Sequence, residues 1–321
     1  MKAIVQDTYG PPDILECGDV PTPTPGPGEV LVKVMAASLN ARDWHVLRGD
    51  PYLSRLAFGL RRPKMPILGT DFAGVVVSGE GFKPGDEVYG EYNGAFAEYI
   101  AVPVKVVGPK PASLTFEQAA AMPLAACTAL QGLAGVEKGW SVLINGASGG
   151  VGTFAVQLAK ARGARVTAVC SARNADLVAG LGADRVVDYR KEDFALLGER
   201  HEVVFDLVGN RSLRDLRKVT TEGGTVLISG GGVYEGGSLF GPLGLMIRAR
   251  LAATFGRGKI VILQAVQSRA SLDELRELAD SGRMVPAVDR TYPLAEAADA
   301  MRYLETEHAR AKVVLTVNAT P

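Results

Sequence analysis

Six short runs between Ser141 and Leu263 constrain the fold more than any other feature: SVLIN, RVTAV, RVVDY, EVVFDLV, TVLIS and KIVIL. Each is β-branched and nearly continuous in apolar character, as expected of parallel strands buried on both faces. Helical stretches alternate with them, and parallel neighbours need crossover connections, which are right-handed. The spacing therefore predicts a doubly wound α/β sheet from Ser141 onward.

The first run leads into INGASGGVG, where Gly146, Gly149, Gly150 and Gly152 fall within seven residues. A Gly-x-Gly-x-x-Gly pattern alone is weak, and here its first position is Ala147. Its context is stronger, because it follows a buried strand and opens a helix with Val151, Phe154, Ala155 and Leu158 on one face. Gly149 lets backbone approach a pyrophosphate, and Gly152 lets the helix pack closely on the strand. The helix start favours an anion. The segment Ala147, Ser148, Gly149, Gly150, Val151 and Gly152 is thus read as a dinucleotide-binding turn, against a glycine turn that merely packs.

An NAD-selecting fold usually carries an acid ~20 residues after the glycines, at the end of the second strand. That neighbourhood here is VCSARN, and the first acid beyond it is Asp176. Ser171 and Arg173 stand where a 2′-phosphate would lie, and the planar fork of Arg suits phosphate. The other reading of Arg173 is a solvated charge at a helix start. Tyr189, ending VVDYR, offers a hydroxyl. NADP(H) is the expected cofactor. Ligands of such sheets bind beyond the carboxyl ends of strands, so Val208, Gly209 and Ser229 are expected to border it. The same positions also suit plain strand-to-helix turns.

A chain of 321 residues suits two domains. The first third, with PTPTPGPGEVLVKVMAAS and GTDFAGVVVSGEGFKPGDEVYG, reads as a small irregular β-barrel or sandwich. Near Ser113 the texture changes to SLTFEQAAAMPLAACTALQGLA, read as a Ser-capped helical stretch with Glu117 in its first turn. A helix SLDELRELADSG ended by Gly282, a strand in VPAVDRTYPL, a helix AEAADAMRYLE and a strand KVVLTV complete the pattern. Lys plus Arg and Asp plus Glu number 35 each, which gives no support for a nucleic-acid partner. Cys17, Cys127 and Cys170 lie far apart, without metal or disulfide spacing. MKAIVQDTYG lacks the apolar core of a secretory signal, and no run is long enough for a membrane span. The expected setting is cytoplasmic.

MKAIV, PGPGEVLVKVMAASLNARD, LGTDFAGVV, KPGDEVYG, GAFAEY, GASGGVG, LGADRVVDY and HARAKVVLTV together resemble the medium-chain dehydrogenase/reductase superfamily. The likeness spans essentially the whole length and is to the zinc-independent quinone oxidoreductase-like branch. It implies a GroES-like β-barrel catalytic domain, residues 1–122 and 266–321, and a Rossmann NADP-binding domain, residues 123–265. It also implies a homodimer. In zinc-holding relatives a Cys stands at the position of Asn40, and a His-Glu pair at Thr70-Asp71. His45, His201 and His308 match no ligand position, so no metal is expected. A zinc site needs three or four protein ligands.

The resemblance implies hydride delivery from NADPH to a quinone or α,β-unsaturated carbonyl. It places Asn40 near the nicotinamide as an amide donor, although a turn residue closing a strand is the other reading. Tyr52 matches a tyrosine near the substrate in relatives, as proton donor or stacking surface, against ordinary loop packing. Thr128 falls where a hydroxyl meets the nicotinamide amide, against a helical Thr bonding its own backbone. Asp43 is expected to orient the NARD loop. SLFGPLGLMIRARLAATFGRG, with Met246, Arg248, Arg250 and Arg257, reads as a packed helix, an acceptor cover or an interfacial patch. Ala311 stands where the family more often has glycine. Two alternatives stay open. One is an enoyl-thioester reductase, with Arg61, Arg62 and Lys64 serving carrier phosphates; the other is a non-catalytic NADPH-binding protein with a redox-sensing or structural role.

Overall fold

A computed structural model of the chain describes residues 1–230, 237–239, 241, 244, 249–250, 259–307 and 309–318. Seven strands come first: β1 (Lys2–Val5), β2 (Glu16–Asp19), β3 (Glu29–Ser38), β4 (Asp71–Gly79), β5 (Glu87–Glu91), β6 (Tyr99–Pro103) and β7 (Val107–Pro109). Then follow β8 (Ser141–Asn145), β9 (Arg165–Cys170), β10 (Arg185–Asp188), β11 (His201–Asp206), β12 (Thr220–Ile228) and β13 (Lys259–Ile262). β14 (Val288–Pro293) and β15 (Lys312–Thr316) come last. The chain forms two units, Met1–Cys127 with Gly236–Leu239 and Val266–Pro321, and Thr128–Glu235 with Phe240–Ala265. Helix Pro123–Gly132 runs through the first boundary.

The first unit holds a seven-stranded sheet in the order β14-β15-β3-β4-β5-β7, with β6 also paired to β3. All pairs are antiparallel except β14 with β15. β3 alternates at first, with Val30, Val32 and Val34 fully buried against Phe72, Val88, Val102 and Leu315. From Met35 to Ser38 it is buried on both faces. That burial delivers Ser38, Leu39 and Asn40 into the interior of this unit.

In the second unit all six predicted runs form one parallel sheet, ordered β10-β9-β8-β11-β12-β13. Counted from β8, this is the 3-2-1-4-5-6 arrangement of a dinucleotide-binding sheet, whose order reverses beside its first strand. Two helix starts differ from the sequence reading. Thr115, not Ser113, caps the first, its hydroxyl accepting from Gln118 N while Ser113 Oγ donates to Ala279 O. Thr115-x-x-Gln118 is a reciprocal capping box, and that pairing outweighs the bare Ser. Helix Arg269–Asp280 begins ahead of Ser271, with Ser268 as its cap. Gly282, at φ +71°, follows it in the left-handed conformation that ends helices.

Candidate active site

β8 ends at Asn145, and Gly146 turns the chain at φ +89°. The N–H groups of Gly146 and Ala147 both donate to Val169 O, at 3.1 and 3.0 Å, tying the turn to the end of β9. Helix Gly150–Ala161 starts after Gly149. A Cβ on Gly152 would lie 2.2 Å from Gly146 O and 2.7 Å from Ala147 Cα. The first helical turn therefore rests directly on the preceding turn, with no space for a side chain. A Cβ on Gly149 would meet only Gly146 O, at 3.4 Å. One glycine is demanded by inner packing, and the other keeps an outer approach open. The first N–H groups of a helix lack intrahelical acceptors and carry its positive end, so the arrangement fits a phosphate.

Ser148 Oγ accepts from Asn174 Nδ2 at 3.0 Å. This leaves the single Ser148 O–H to donate elsewhere. Asn174 is only 3% exposed, and its Oδ1 is buried without a hydrogen-bond partner. An orphaned buried acceptor beside a phosphate turn fits a bound hydroxyl-bearing ligand. Asn174 N donates to Ser171 O at 2.9 Å, and Arg173 between them is exposed. Tyr189 N donates to Cys170 O at 3.2 Å, placing Tyr189 beside the end of β9. The Arg190 guanidinium lies 5.9 Å from the Tyr189 ring. Ser148, Ser171, Arg173 and Tyr189 thus gather at the carboxyl ends of β8, β9 and β10. Asp188, ending β10, accepts from the backbone N–H of Arg190 at 3.1 Å.

Across the order reversal, Asp206 ends β11 and organises the next turn. Its Oδ1 accepts from Asn145 Nδ2 at 2.8 Å, Val208 N at 3.2 Å and Gly209 N at 3.1 Å. A Cβ on Gly146 would meet Val208 Cγ2 at 2.8 Å, so Val208 packs against the glycine turn. Ser229 N donates to Asp206 O at 3.0 Å. Val208 and Gly209 are therefore held by the buried carboxylate of Asp206, and Ser229 by the main-chain carbonyl of the same residue. Asn145, Asn174 and Asp206 were not singled out in the sequence. Their signal was a polar residue closing an otherwise apolar strand in SVLIN and EVVFD, and one following VCSAR.

In the first unit Asn40 is buried and its amide is fully engaged. Nδ2 donates to Thr70 Oγ1 at 3.3 Å and Asp71 Oδ2 at 2.9 Å, and Oδ1 accepts from Lys312 Nζ. Lys312 Nζ also donates to Leu39 O at 2.9 Å and lies 3.5 Å from Asp71 Oδ2. Asp71 further accepts from Ser38 Oγ and Leu124 N. Asp43 accepts from Asn40 N at 2.7 Å and Thr70 Oγ1 at 3.1 Å, so it does orient the NARD turn. Residues 40, 70 and 71 do come together, and the cation among them is an ammonium. Among the described residues no group of three His, Cys, Asp or Glu is placed to hold a metal.

Burial sets the electrostatics of this cluster. It pushes Asp43 up to about 7, and Glu91 up to about 8 with help from the charge of Asp71. It raises Asp71 and lowers Lys312, each partly restrained by the other's charge. Tyr52 is 47% exposed and stacks on the Arg55 guanidinium, 4.8 Å from its ring centre. Its N–H donates to Ser238 O at 2.8 Å, and Gly237 leaves room for its hydroxyl, which a Cβ there would meet at 2.6 Å. Thr128 is buried in helix Pro123–Gly132. His45 Nδ1 lies 2.7 Å from Asp50 O, and burial lowers its pKa. Most of the 238–258 stretch, including Met246, Arg248 and Arg257, lies outside the described residues, as does His308.

A parallel sheet of this order, with a phosphate turn after its first strand, defines a dinucleotide-dependent α/β protein. Residues 26–112 match the alcohol dehydrogenase GroES-like domain, and residues 181–315 match the zinc-binding dehydrogenase family. The chain is 35% identical to the NADPH-dependent alkenal/one oxidoreductase of Arabidopsis thaliana chloroplasts, over 98% of this chain and 79% of that protein. It superposes on the quinone oxidoreductase from Coxiella burnetii with a TM-score of 0.86 at 31% identity, covering 99% of each chain. The quinone oxidoreductase of Escherichia coli complexed with NADPH gives 0.83 at 25% identity, covering 98% and 100%. The chain belongs to the medium-chain dehydrogenase/reductase superfamily, in its quinone oxidoreductase-like branch, and is an α/β oxidoreductase.

Proposed function

We propose that this protein is an NADPH-dependent reductase of quinones or α,β-unsaturated carbonyls, working without a catalytic metal. The observation that carries the reading is the anion-ready turn Ala147–Gly152 beside Ser171 and Arg173, with no acid at the end of β9 before Asp176. The names of the Arabidopsis and Escherichia coli relatives point to the same cofactor and acceptors. When bound, NADPH supplies the hydride. The amides of Gly150 and Val151 and the Ser148 hydroxyl hold the pyrophosphate, and Arg173, Ser171 and Tyr189 hold the 2′-phosphate. Val208, Gly209 and Ser229 border the nicotinamide half, and Thr128 meets its amide. Tyr52 donates a hydrogen bond or proton to the oxygen that gains charge as the acceptor is reduced. Asn40, with its amide engaged internally, serves as a positioning residue. A cytoplasmic homodimer completes the reading.

The test follows loss of reduced-cofactor absorbance with a soluble para-quinone, using NADPH and NADH in parallel. Turnover with NADPH and little with NADH is expected. A preference for NADH would overturn the 2′-phosphate assignment. Saturable NADPH binding without turnover of any quinone or enone would overturn the reductase itself.

A further inference from the structure

We infer that the loop spanning residues 52–66 is an interfacial surface that docks on an anionic lipid bilayer. The inference stands independently of the proposed reaction. Ten large apolar side chains are exposed among the described residues, and Tyr52, Leu56, Leu60 and Met65 of this one loop are four of them. Leu239, a fifth, is joined to the loop where Leu53 N donates to Leu239 O at 3.3 Å. Leu56 and Leu60 are the most outward of the loop's four, at 66% and 69% exposure. Exposed apolar groups gathered in this way mark an interaction surface.

Charge narrows the partner. The same stretch carries Arg55, Arg61, Arg62 and Lys64, with no Asp or Glu between Asp50 and Asp71, in a chain that is neutral overall. Arg55 is committed inward, its guanidinium near the rings of both Tyr9 and Tyr52 and its Nε donating to Gly49 O at 2.9 Å. Arg61, Arg62 and Lys64 are exposed and lie between Leu60 and Met65. Protein interfaces deplete charge from their apolar centre. Cations interleaved with apolar side chains instead suit the boundary between acyl chains and anionic headgroups.

The surface is also preformed. Gly59 N donates to Arg55 O at 2.8 Å, Lys64 N to Phe58 O at 2.7 Å, and Tyr9 Oη to Gly59 O at 2.6 Å. Gly59 adopts φ +125°, and a Cβ there would lie 2.0 Å from Arg62 O. Little conformational freedom remains to be lost on docking. No described helix is long and apolar enough to cross a membrane, so the contact is one of lying on the bilayer.

The experiment floats the intact protein with phosphatidylcholine vesicles and with vesicles containing phosphatidylglycerol, at low and high salt. Association with the anionic vesicles alone, reversed by salt, is expected. Three neutralised cations, in R61Q/R62Q/K64Q, should weaken it about a hundredfold, at roughly fivefold for each. L56S/L60S should weaken it at least about tenfold. Both variants should keep wild-type turnover of a water-soluble quinone, which shows them folded. Equal recovery on both vesicle types, or none on either, would overturn the inference. So would a concentration-dependent dimer that L56S/L60S dissolves, which assigns the face to a second copy. Release from vesicles by coenzyme A at constant ionic strength would reassign the cations to a thioester carrier.

Discussion

The turn after β8 is half-buried and the polar cluster at the end of β3 fully buried, and the two are built from different materials. Around Gly146, Gly149 and Gly152 the polar groups are backbone amides, and Gly146 and Gly152 are fixed by where a Cβ cannot go. Around Asn40 they are side chains from β3, β4, β15 and the turns beside them, holding charges away from water. The first kind of site is local in sequence and electrostatically undemanding. The second depends on partners far apart in the chain, and each charge is tolerable only while its partners stay.

Removing one partner tests that difference most severely. Lys312→Met leaves Asp71 buried beside Asn40 without its cation, and unfolding in urea should show a loss of about 3–5 kcal/mol. Adding Asp71→Asn should recover much of it, and full additivity of the two losses would break the comparison. Gly152→Val drives a side chain into Gly146 O, and NADPH affinity by fluorescence titration should fall about a hundredfold, about 2.7 kcal/mol.

The cluster should also respond to pH where the glycine turn does not. Asp43 sits at about 7 in the fold, against 3.8 for the ordinary side chain. Between those values the unfolded chain releases this proton while the folded one keeps it. The contribution of Asp43 is therefore fully present below about pH 4 and lost as pH rises to about 7, at up to about 1.4 kcal/mol per unit. Asp43→Asn should flatten that part of a pH–stability curve measured by denaturation. Arg173→Ala is a smaller change, with NADPH binding about tenfold weaker and NADH binding unmoved in parallel titrations. The smallest concerns Ala311, the one described non-glycine residue at positive φ, 60°. Ala311→Gly relieves left-handed strain but loosens the unfolded chain, so a net gain of about 0.5 kcal/mol is expected in thermal unfolding.

The same contrast decides what was legible in the sequence. The six parallel strands and the glycine turn could be read because burial on both faces and a tight strand-to-helix turn leave marks within a few residues. The resemblance marked Ala311 as a departure from the family's more usual glycine, and the structure places it at φ 60°, in the region that favours glycine. The bonding of Asn40 was not legible, because Lys312 is 272 residues away from it. A donor role for the Asn40 amide could be imagined only while Thr70, Asp71 and Lys312 were unplaced. Helix starts failed at closer range. SLT offers two hydroxyls, and only the reach of Gln118 back to Thr115 selects between them.

β15 lies between β14 and β3, and its first residue is the buried Lys312. A growing chain presents β3, β4 and Asp71 long before that lysine is made, since 273 residues separate Leu39 from the ammonium that bonds its carbonyl. β8 to β13, by contrast, follow one another with no strand of the first unit between them. Translation therefore imposes an order of birth in which the nucleotide-binding sheet can close while the earlier-made β-unit still waits for its last interior strand. A nascent chain arrested short of Lys312 should yield a protease-resistant sheet and a digestible β-unit, so the half made first is the half finished last.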